Sequence, residues 1–486
     1  MPDTLPFARL VLLVAGAGLL ALLSNRLTER IRVPAPLLVL VAAAVAVPLV
    51  PDLHHPPERL TERLVSLALI AILFDGGLHL GRARFRAAAG PIAAVGVLGT
   101  FLTAAAAGAF LHWTFGLDWF PALLVATAIA PTDPAVVFSV LGRREVSGRS
   151  GTILEGESGA NDPVGIALMA SLIGAGSVSL AAAGQVAGEF VLQMGIGAAV
   201  GVLGGRALLW FMRAVPLPAE GLYPLRTAFS ALLLFGAASL AHGSGFLAVF
   251  VAGILLGDER APYKREIERF HSALASFGEI VAFVVLGLAL DLAVLTRADV
   301  LVPGIAGFAV LTLLVRPVLV GLCLLPARLA VRERAFVLFA GLKGAVPILL
   351  GGFVLAAQVP DAERLYGIVV VVVLLSVLLQ GGLVPTAARL LRLPMREVAP
   401  EPWAIGVRLR DEPEGVHRFT VAAGAPAAGH RIDELATLPE DAWISLVVRS
   451  DRLLPVRGDS RLQAGDEVLV LADPGLHEQL AATFGS

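Results

Sequence analysis

Long apolar segments alternate with short polar loops from the N-terminus to about residue 390. A helix of roughly 20 apolar residues crosses a hydrocarbon core about 30 Å thick, and thirteen segments approach that length. Beyond residue 396 the pattern changes to short apolar runs separated by turn residues, which predicts β-strands. The predicted fold class is therefore an all-α polytopic membrane protein with a small α/β C-terminal domain. The predicted spans are residues 7–24, 33–50, 62–80, 88–112, 119–142, 150–175, 183–212, 224–241, 243–257, 271–291, 299–325, 333–357 and 364–387.

The change in pattern near residue 396 sets the predicted domain boundaries. Basic residues Arg389, Arg392 and Arg396 follow the last span, and the sequence Pro400-Glu401-Pro402 is typical of a linker. The predicted divisions are a transmembrane domain over 1–395, a linker over 396–402 and a C-terminal domain over 403–486.

Composition agrees with a membrane protein and excludes several other classes. Of the 486 residues, 57% are hydrophobic and 16% are charged, whereas a soluble domain carries about 25% charged residues. The net charge of -2 gives no reason to expect a nucleic-acid partner. The single Cys323 excludes a disulfide framework or a thiolate metal site. The predicted C-terminal domain, residues 403–486, carries no nucleotide-binding fingerprint. No cofactor is predicted.

Basic residues predict how the spans are oriented. Alternate loops are rich in arginine, for example Arg82, Arg84 and Arg86, while loops on the other side carry few basic residues. Basic loops face the cytoplasm, so the N-terminus is predicted to lie outside and the C-terminal domain in the cytoplasm. The first span has no small-residue cleavage site and is interpreted as a retained helix. We therefore predict a multi-pass protein of the cytoplasmic (inner) membrane, surrounded by lipid.

The fifth predicted span is interrupted by two prolines. Pro131 and Pro134 flank Thr132 and Asp133, and each proline removes a backbone donor and disfavours helix just before it. An unwound segment at membrane depth is tolerated only where it is buried in protein or lines a cavity. The alternative is a simple proline kink in which Asp133 caps the second half-helix.

The sixth predicted span carries four polar side chains on one face. Glu157 and Asn161 are four residues apart, as are Ser158 and Asp162, so the two pairs occupy adjacent stripes of a helix. Carboxylate, hydroxyl and amide oxygens form a hard-donor site that suits an alkali cation or a proton. The alternative is a structural hydrogen-bond network without a ligand.

The twelfth predicted span is a second interrupted helix. It contains Gly341, Lys343, Gly344 and Pro347. Spans 5 and 12 hold the same place in two six-helix halves that are inverted relative to each other, and matched broken helices of this kind indicate the midplane site of a transporter. Lys343 is predicted to neutralise the negative ends of half-helices.

Other charged residues at membrane depth are given weaker interpretations. Arg316 in span 11 is a candidate ion-pair partner of Glu157, because an unpaired buried charge is costly. Asp75 is a candidate for lining a cytoplasmic funnel, although exposure at the edge of the span explains it equally well. Glu189 and Glu279 are each interpreted as a carboxylate near the start of a helix, where it suits the positive end of the helix dipole.

These motifs resemble the NhaP-type branch of the monovalent cation/proton antiporters over residues 1 to about 390. The resemblance implies a thirteen-helix homodimer with a dimerisation half and a mobile core half. It further implies that Asp162 carries the cation and the proton in turn, with help from Asp133, Ser158 and the backbone around Thr132. Glu157 and Arg316 would form a structural ion pair near the site, with Asn161 hydrogen-bonded to it. The motifs are Thr132-Asp133-Pro134, Glu157-Ser158 with Asn161-Asp162, the Arg316 helix and Gly341-Leu-Lys343-Gly344.

Two departures refine the resemblance. Lys343 stands where sodium exchangers usually have arginine, and the two residues are not equivalent. Lysine is more typical of the potassium/proton members. Asn161, rather than an aspartate, resembles the electroneutral branch, which exchanges one cation per proton.

The C-terminal tail resembles the TrkA-C (RCK C-terminal) regulatory domain. Such domains commonly dimerise, bind small ligands and accompany potassium-handling transporters, so a small regulatory ligand is an expected partner. The features that carry the resemblance are Gly429–Leu435, Ala442–Ile444, Arg449, Leu454-Pro455, Gly458-Asp459 and Leu462–Val468.

The predicted function is secondary antiport of a monovalent cation for H⁺, serving cation, pH and cell-volume homeostasis, and not enzyme catalysis. K⁺ is favoured, and Na⁺/H⁺ antiport by the same type of protein is the alternative. A remote alternative is an intramembrane serine protease using Ser158 and His242, since Gly156-Glu157-Ser158-Gly159 contains a Gly-x-Ser-Gly pattern. A potassium channel is a third class, but the chain lacks a repeated filter loop.

Overall fold

The computed structural model describes two compact units, Met1–Val398 and Ala399–Ser486. The division falls inside the predicted linker, most of which lies outside the described residues. The described ranges are 35–49, 57–133, 144–146, 149–259, 263–393, 395–397, 415–435, 437–439, 441–449 and 452–485, with isolated positions between them.

Helices dominate the described part of the first unit. Six of them are long and apolar enough to cross a membrane, and several shorter apolar helices accompany them. The count of thirteen spans stays a prediction, because most of span 7–24 and the second half of span 119–142 lie outside the described residues. The helices are α1 Ala35–Leu49, α2 Glu58–Ala93, α3 Thr100–Phe115, α4 Trp119–Ala128, α5 Arg149–Ala175, α6 Leu180–Ala214, α7 Leu222–Leu240, α8 Gly245–Gly257, α9 Lys264–Leu288, α10 Leu292–Leu295, α11 Ala298–Val310, α12 Val331–Phe339, α13 Ala345–Ala356, α14 Ala362–Leu375 and α15 Gly382–Leu390.

Three π-helical stretches extend these helices. They connect α2 to α3, continue α11 and connect α14 to α15, and such stretches frequently occur at functional sites. Their bounds are Ala94–Gly99, Leu311–Val320 and Ser376–Gly381.

The predicted loop between spans 3 and 4 is instead helical, because α2 continues across a kink at Gly81. Gly81 adopts φ 63° and ψ 164°, a conformation that glycine tolerates best. The carboxylate of Asp258 lies against this glycine and accepts a hydrogen bond from the Ala83 amide at 2.5 Å. Asp258 thus satisfies a backbone donor that the kink exposes.

Close packing of α2 on α8 depends on small residues. A Cβ added at Gly77 would come within 3.0 Å of backbone atoms of Phe250, Gly253 and Ile254, and one at Gly253 would meet the backbone of Phe74. Small residues spaced by four allow membrane helices to approach closely, where dispersion replaces the hydrophobic effect as the driving force. This contact holds α2 beside α8 at the depth of Asp75.

The two predicted helix breaks are present and meet each other. Helix α4 ends at Ala128 and residues 131–133 have no regular secondary structure, while residues 340–344 separate α12 from α13. The Asp133 amide donates a hydrogen bond of 2.8 Å to the Leu342 carbonyl. Each break therefore satisfies backbone groups of the other, as buried irregular backbone requires.

Glu189 and Glu279 do not begin helices, so that interpretation is wrong. Glu189 lies well inside α6 and Glu279 well inside α9. For Glu279 the error arose because α9 starts at Lys264, seven residues before the predicted span, with a charged first turn that hydropathy alone assigns to a loop.

A short antiparallel pair joins distant parts of the first unit. Strand β1 (Arg144–Val146) pairs with β2 (Met395–Glu397), so that Val146 lies opposite Met395. Strand β1 directly precedes α5, and β2 directly follows the last membrane helix.

The second unit is built on a four-stranded antiparallel sheet in the order β3-β6-β4-β5. Helix α16 (His477–Phe484) covers it, with Leu480 and Phe484 buried in the same core as Phe419 and Val470. The strands are β3 Val416–Thr420, β4 Trp443–Arg449, β5 Arg452–Leu454 and β6 Glu467–Leu471.

One ion pair fastens β4 to the turn before β6. Arg449 donates from Nε and Nη2 to the two carboxylate oxygens of Asp466, both at 2.7 Å, and Asp466 is fully buried. Burial alone would raise the pKa of Asp466, but the hydrogen bonds from Arg449 and the Gln463 amide, with the Arg449 charge, hold it below its usual value. The pair therefore stabilises the fold above about pH 4, and this stabilisation is lost as the pH falls further.

We expect Arg449→Ala to destabilise the C-terminal domain by about 1–3 kcal/mol, because it leaves a buried acceptor unsatisfied. Hydrogen exchange of the β4 and β6 amides in the full-length protein at neutral pH measures the change. Arg418→Ala is the matched control, since Arg418 pairs with Glu467 on the surface and such pairs contribute about 0–1 kcal/mol. Equal exchange in the two variants would contradict this role for the Arg449–Asp466 pair.

Candidate functional site

Helix α5 buries the four polar side chains that the sequence places on one face. Glu157, Ser158, Asn161 and Asp162 all belong to the buried interior. Ser158 Oγ donates to Asp162 Oδ2 at 3.5 Å, across one helical turn. The helix continues through Pro163, so the residues stay on a single rigid element.

Asp162 is only partly satisfied. Its Oδ1 atom is buried and has no hydrogen-bond partner among the described residues. The charges of Asp133 and Lys343 lie close enough to act on it. A buried carboxylate oxygen without a donor is costly, and a proton or a small cation would satisfy it.

Thr132 and Asn161 link the first helix break to α5. Asn161 Nδ2 donates to Thr132 Oγ1 at 2.8 Å. The same threonine hydroxyl donates to Glu157 Oε1 at 3.3 Å. The side-chain amide oxygen of Asn161, Oδ1, is buried and has no hydrogen-bond partner among the described residues. The site therefore contains a second unsatisfied oxygen acceptor besides Asp162 Oδ1.

Glu157 is neutralised by Arg316, which lies in the π-helical extension of α11. Arg316 Nη1 is 2.8 Å from Glu157 Oε1, and Nη2 donates to Oε2 at 3.1 Å. The guanidinium also donates to the carbonyls of Leu338 and Val337 at the end of α12. One arginine thus balances a buried carboxylate and satisfies carbonyls that the second break leaves unpaired.

Lys343 lies in the second helix break, and its side chain binds backbone carbonyls of the first break. Its Nζ donates to the carbonyls of Ala130 and Pro131, at 2.7 and 3.1 Å. These carbonyls follow the C-terminal end of α4, where the helix dipole is negative. The ammonium therefore lies at a helix end, buried at 5% exposure.

The glycines on either side of Lys343 make room for charged partners. A Cβ at Gly341 would overlap the Arg316 guanidinium, and one at Gly344 would overlap the Asp133 carboxylate. The spacing Gly-Leu-Lys-Gly thus follows from packing: the backbone approaches Arg316 on one side and Asp133 on the other. Asp133 is half-buried.

Ser376 and Gln380 support the same segment, and the sequence analysis missed both. Ser376 Oγ accepts the Lys343 amide at 3.0 Å and donates to Gln380 Oε1 at 3.1 Å. Gln380 Nε2 donates to the Phe339 carbonyl. Both residues lie in the π-helical stretch after α14. A serine and a glutamine four residues apart after a valine-rich helix were the available signal.

Asp75 lies outside this cluster. On α2, it accepts a hydrogen bond from Ser272 of α9 at 3.0 Å and lies 3.3 Å from His79 Nδ1. Its side chain is 16% exposed. Its assignment to a cytoplasmic funnel stays a prediction.

The structure does not support a Ser158–His242 pair. His242 lies exposed in the turn between α7 and α8 with φ 59°, and no hydrogen bond joins the two described side chains. Among the described residues, the Ser158 hydroxyl hydrogen-bonds to Asp162 alone. A serine nucleophile needs a base within hydrogen-bond reach.

The donor chemistry of the cluster favours a hard cation over a soft transition metal. Within the described ranges, no group of three or more His, Cys, Asp or Glu side chains could hold a metal ion. The cluster offers oxygen atoms from Asp162, Asp133, Ser158, Thr132 and Asn161, which suit hard cations.

Comparison with known proteins identifies the family. The profile described as "Sodium/hydrogen exchanger, transmembrane" matches residues 17–390, and that of the TrkA-C domain matches residues 416–485. The K(+)/H(+) antiporter NhaP2 of Shewanella baltica (strain OS223) is 34% identical over 432 residues, covering 87% of this chain and 74% of that protein. The K(+)/H(+) antiporter NhaP of Alkalimonas amylolytica is 33% identical over 410 residues, covering 84% and 71%.

Solved structures share the fold. The sodium proton antiporter MjNhaP1 from Methanocaldococcus jannaschii at pH 8 superposes with a TM-score of 0.68 at 21% identity, covering 78% of this chain and 100% of that one. Together with the profile match, this makes the protein a multi-pass helical membrane protein with a C-terminal TrkA-C domain, and the chain belongs to the sodium/hydrogen exchanger family.

Proposed function

We propose that the protein exchanges K⁺ for H⁺ across the cytoplasmic membrane, electroneutrally, and contributes to cation, pH and cell-volume homeostasis. Cation/proton exchange is the activity of the family to which the chain belongs. The choice of K⁺ is supported by the names of the two relatives above, by Lys343 and by the TrkA-C domain. As a transporter, it would catalyse no covalent reaction.

The observation that carries the proposal is the unsatisfied Oδ1 of buried Asp162. In the proposed cycle, a proton or a cation occupies this carboxylate, and each excludes the other. The cation would be bound by Asp162 and Asp133 with the hydroxyls of Ser158 and Thr132, while Asn161 contributes its amide oxygen. The empty, charged site is disfavoured in a dry environment, so it crosses the membrane only when loaded, which enforces exchange.

The remaining charges are proposed to keep their roles through the cycle. Glu157 and Arg316 form a structural pair, because breaking a buried pair costs about 3–5 kcal/mol. Lys343 compensates the negative end of α4 and does not itself carry the proton. Exchange of access would follow from movement of one half of the membrane domain against the other.

Further proposals concern assembly and regulation. We propose a homodimer with the N-terminus outside and the C-terminal domain in the cytoplasm. We also propose that the TrkA-C domain binds a small ligand and adjusts the exchange rate. These proposals rest on the resemblance and on the basic loops rather than on the site.

We expect Asp162→Asn to abolish exchange, because a neutral amide carries neither proton nor charge-balanced cation. The measurement is cation-evoked relaxation of ΔpH in everted membrane vesicles, with K⁺, Na⁺ and Li⁺ across a pH series. Glu189→Gln is the matched control and should exchange like the wild type. The Glu189 carboxylate accepts a hydrogen bond from Gln185, and both residues lie on α6. Relaxation that persists in Asp162→Asn would refute the cycle, and a larger response to Na⁺ than to K⁺ would favour the sodium alternative.

We expect Gly344→Ala to lower exchange at least about tenfold, since its methyl group would displace the Asp133 carboxylate and a displacement of about 1 Å at a site costs about two orders of magnitude. Gly352→Ala is the control, because a Cβ there meets nothing within 4 Å. Both variants are assayed in the same vesicles at equal protein. Normal exchange by Gly344→Ala would show that the position of Asp133 does not matter.

A further inference from the structure

Residues 342–344 of the second helix break contact the first break at three successive positions. The Leu342 carbonyl accepts a hydrogen bond from the Asp133 amide at 2.8 Å. The Lys343 ammonium donates to two backbone carbonyls of the first break. A Cβ at Gly344 would overlap the Asp133 carboxylate. The position of Asp133 in the proposed cation site therefore depends on where the backbone of residues 342–344 lies.

Two buried side chains of a different element hold this backbone. Ser376 and Gln380 lie in the π-helical stretch that follows α14, and they are 0% and 3% exposed. Ser376 Oγ accepts the Lys343 amide at 3.0 Å and donates to Gln380 Oε1 at 3.1 Å. Within the described ranges, their hydrogen bonds go to each other and to the backbone of residues 339–343, so they act on the site through that backbone.

Gln380 also completes the end of α12. The last carbonyls of a helix have no partner within the helix. Arg316 donates to two of these carbonyls, and Gln380 Nε2 donates to a third, that of Phe339. Because Gln380 also accepts from Ser376, one continuous set of hydrogen bonds joins the end of α12 to the Lys343 amide.

The Ser376 hydroxyl is the acceptor of a buried amide. A buried backbone N–H without a partner is costly, so native structures rarely contain one. Without this hydroxyl, the backbone at Lys343 would have to move to find another acceptor. The residues on either side, Leu342 and Gly344, are the two that contact Asp133. A movement of Lys343 would therefore displace Asp133.

We propose that Ser376 and Gln380 are positioning residues that set the spacing of Asp133 and Asp162, and thereby the cation affinity and size selectivity of the site. K⁺ and Na⁺ both bind to oxygen atoms but differ in radius, so a change in the spacing of two carboxylates affects them unequally. This inference rests on the proposed function and assigns to it a determinant of cation choice.

Removing either side chain should weaken cation binding and change the preference between cations. We expect Ser376→Ala to raise the apparent KM for K⁺ about fivefold or more, because it leaves a buried donor unsatisfied beside the site, with a smaller change in the maximal rate. The ratio of the apparent constants for K⁺ and Na⁺ should change as well, with Na⁺ measured as a substrate or as a competitor of K⁺. Gln380→Leu should act in the same direction, and it keeps the test decisive if Ser376→Ala does not fold.

Ser171→Ala is the matched control. Ser171 on α5 is fully buried, donates to the Ala167 carbonyl and accepts from Gln193, so it has a glutamine partner as Ser376 does but no hydrogen bond to either break. This variant should keep the wild-type KM and the wild-type K⁺/Na⁺ ratio. A purely structural role predicts that Ser376→Ala and Gln380→Leu also keep both values and show only a lower melting temperature, and that result would overturn the proposal.

Hydrogen exchange tests the physical link without transport. In the full-length protein, Ser376→Ala should speed the exchange of the Asp133 amide several-fold together with that of Lys343, because the Asp133 amide bonds to the residue next to Lys343. Ser171→Ala should leave both amides at the wild-type rate. Faster exchange at Lys343 with an unchanged Asp133 amide would show that Ser376 does not position Asp133.

The two levels of the account fail separately. If the wild type shows no cation/proton exchange, the proposed function is wrong. If the wild type exchanges, and both Ser376→Ala and Gln380→Leu keep its KM and its K⁺/Na⁺ ratio, the function stands and the positioning role is wrong.

Discussion

A charge buried in a membrane domain is costly unless it is compensated, and this constraint explains how α4, α5 and the segment between α12 and α13 are arranged. Arg316 compensates Glu157, and the carbonyls after α4 accept from Lys343. Gly341 lies where the backbone approaches Arg316, and Gly344 lies where it approaches Asp133. Asp162 differs, because its Oδ1 has no donor among the described residues.

That difference separates structural from exchangeable charge. Glu157 is held by a bidentate arginine that also satisfies two carbonyls, so releasing it would expose several unsatisfied groups at once. Within the described part of the chain, the Asp162 carboxylate has a single, long hydrogen bond, from Ser158. Two acids five residues apart on the same helix can therefore behave differently: one fixes the break in place, and the other is available to a proton or a cation.

The sequence predicted the polar face of α5 because residues four apart on a helix must share a face, and it predicted both breaks because proline and glycine interrupt helices. It did not reveal that Gly341 faces Arg316, since that contact joins residues on different helices. Ser376 and Gln380 were missed because two uncharged polar residues lower the mean hydropathy of a long valine-rich span too little to stand out. Glu279 was misplaced because the charged turn at Lys264 looks like a loop, although it is the first turn of α9.

Proton release on cation binding tests competition at Asp162 most directly. Purified wild-type protein in weakly buffered solution, at a pH where the site is protonated, should release one proton for each K⁺ bound, and Asp162→Asn should release none. K⁺ binding without proton release, or equal release from Asp162→Asn, would contradict competition at this carboxylate.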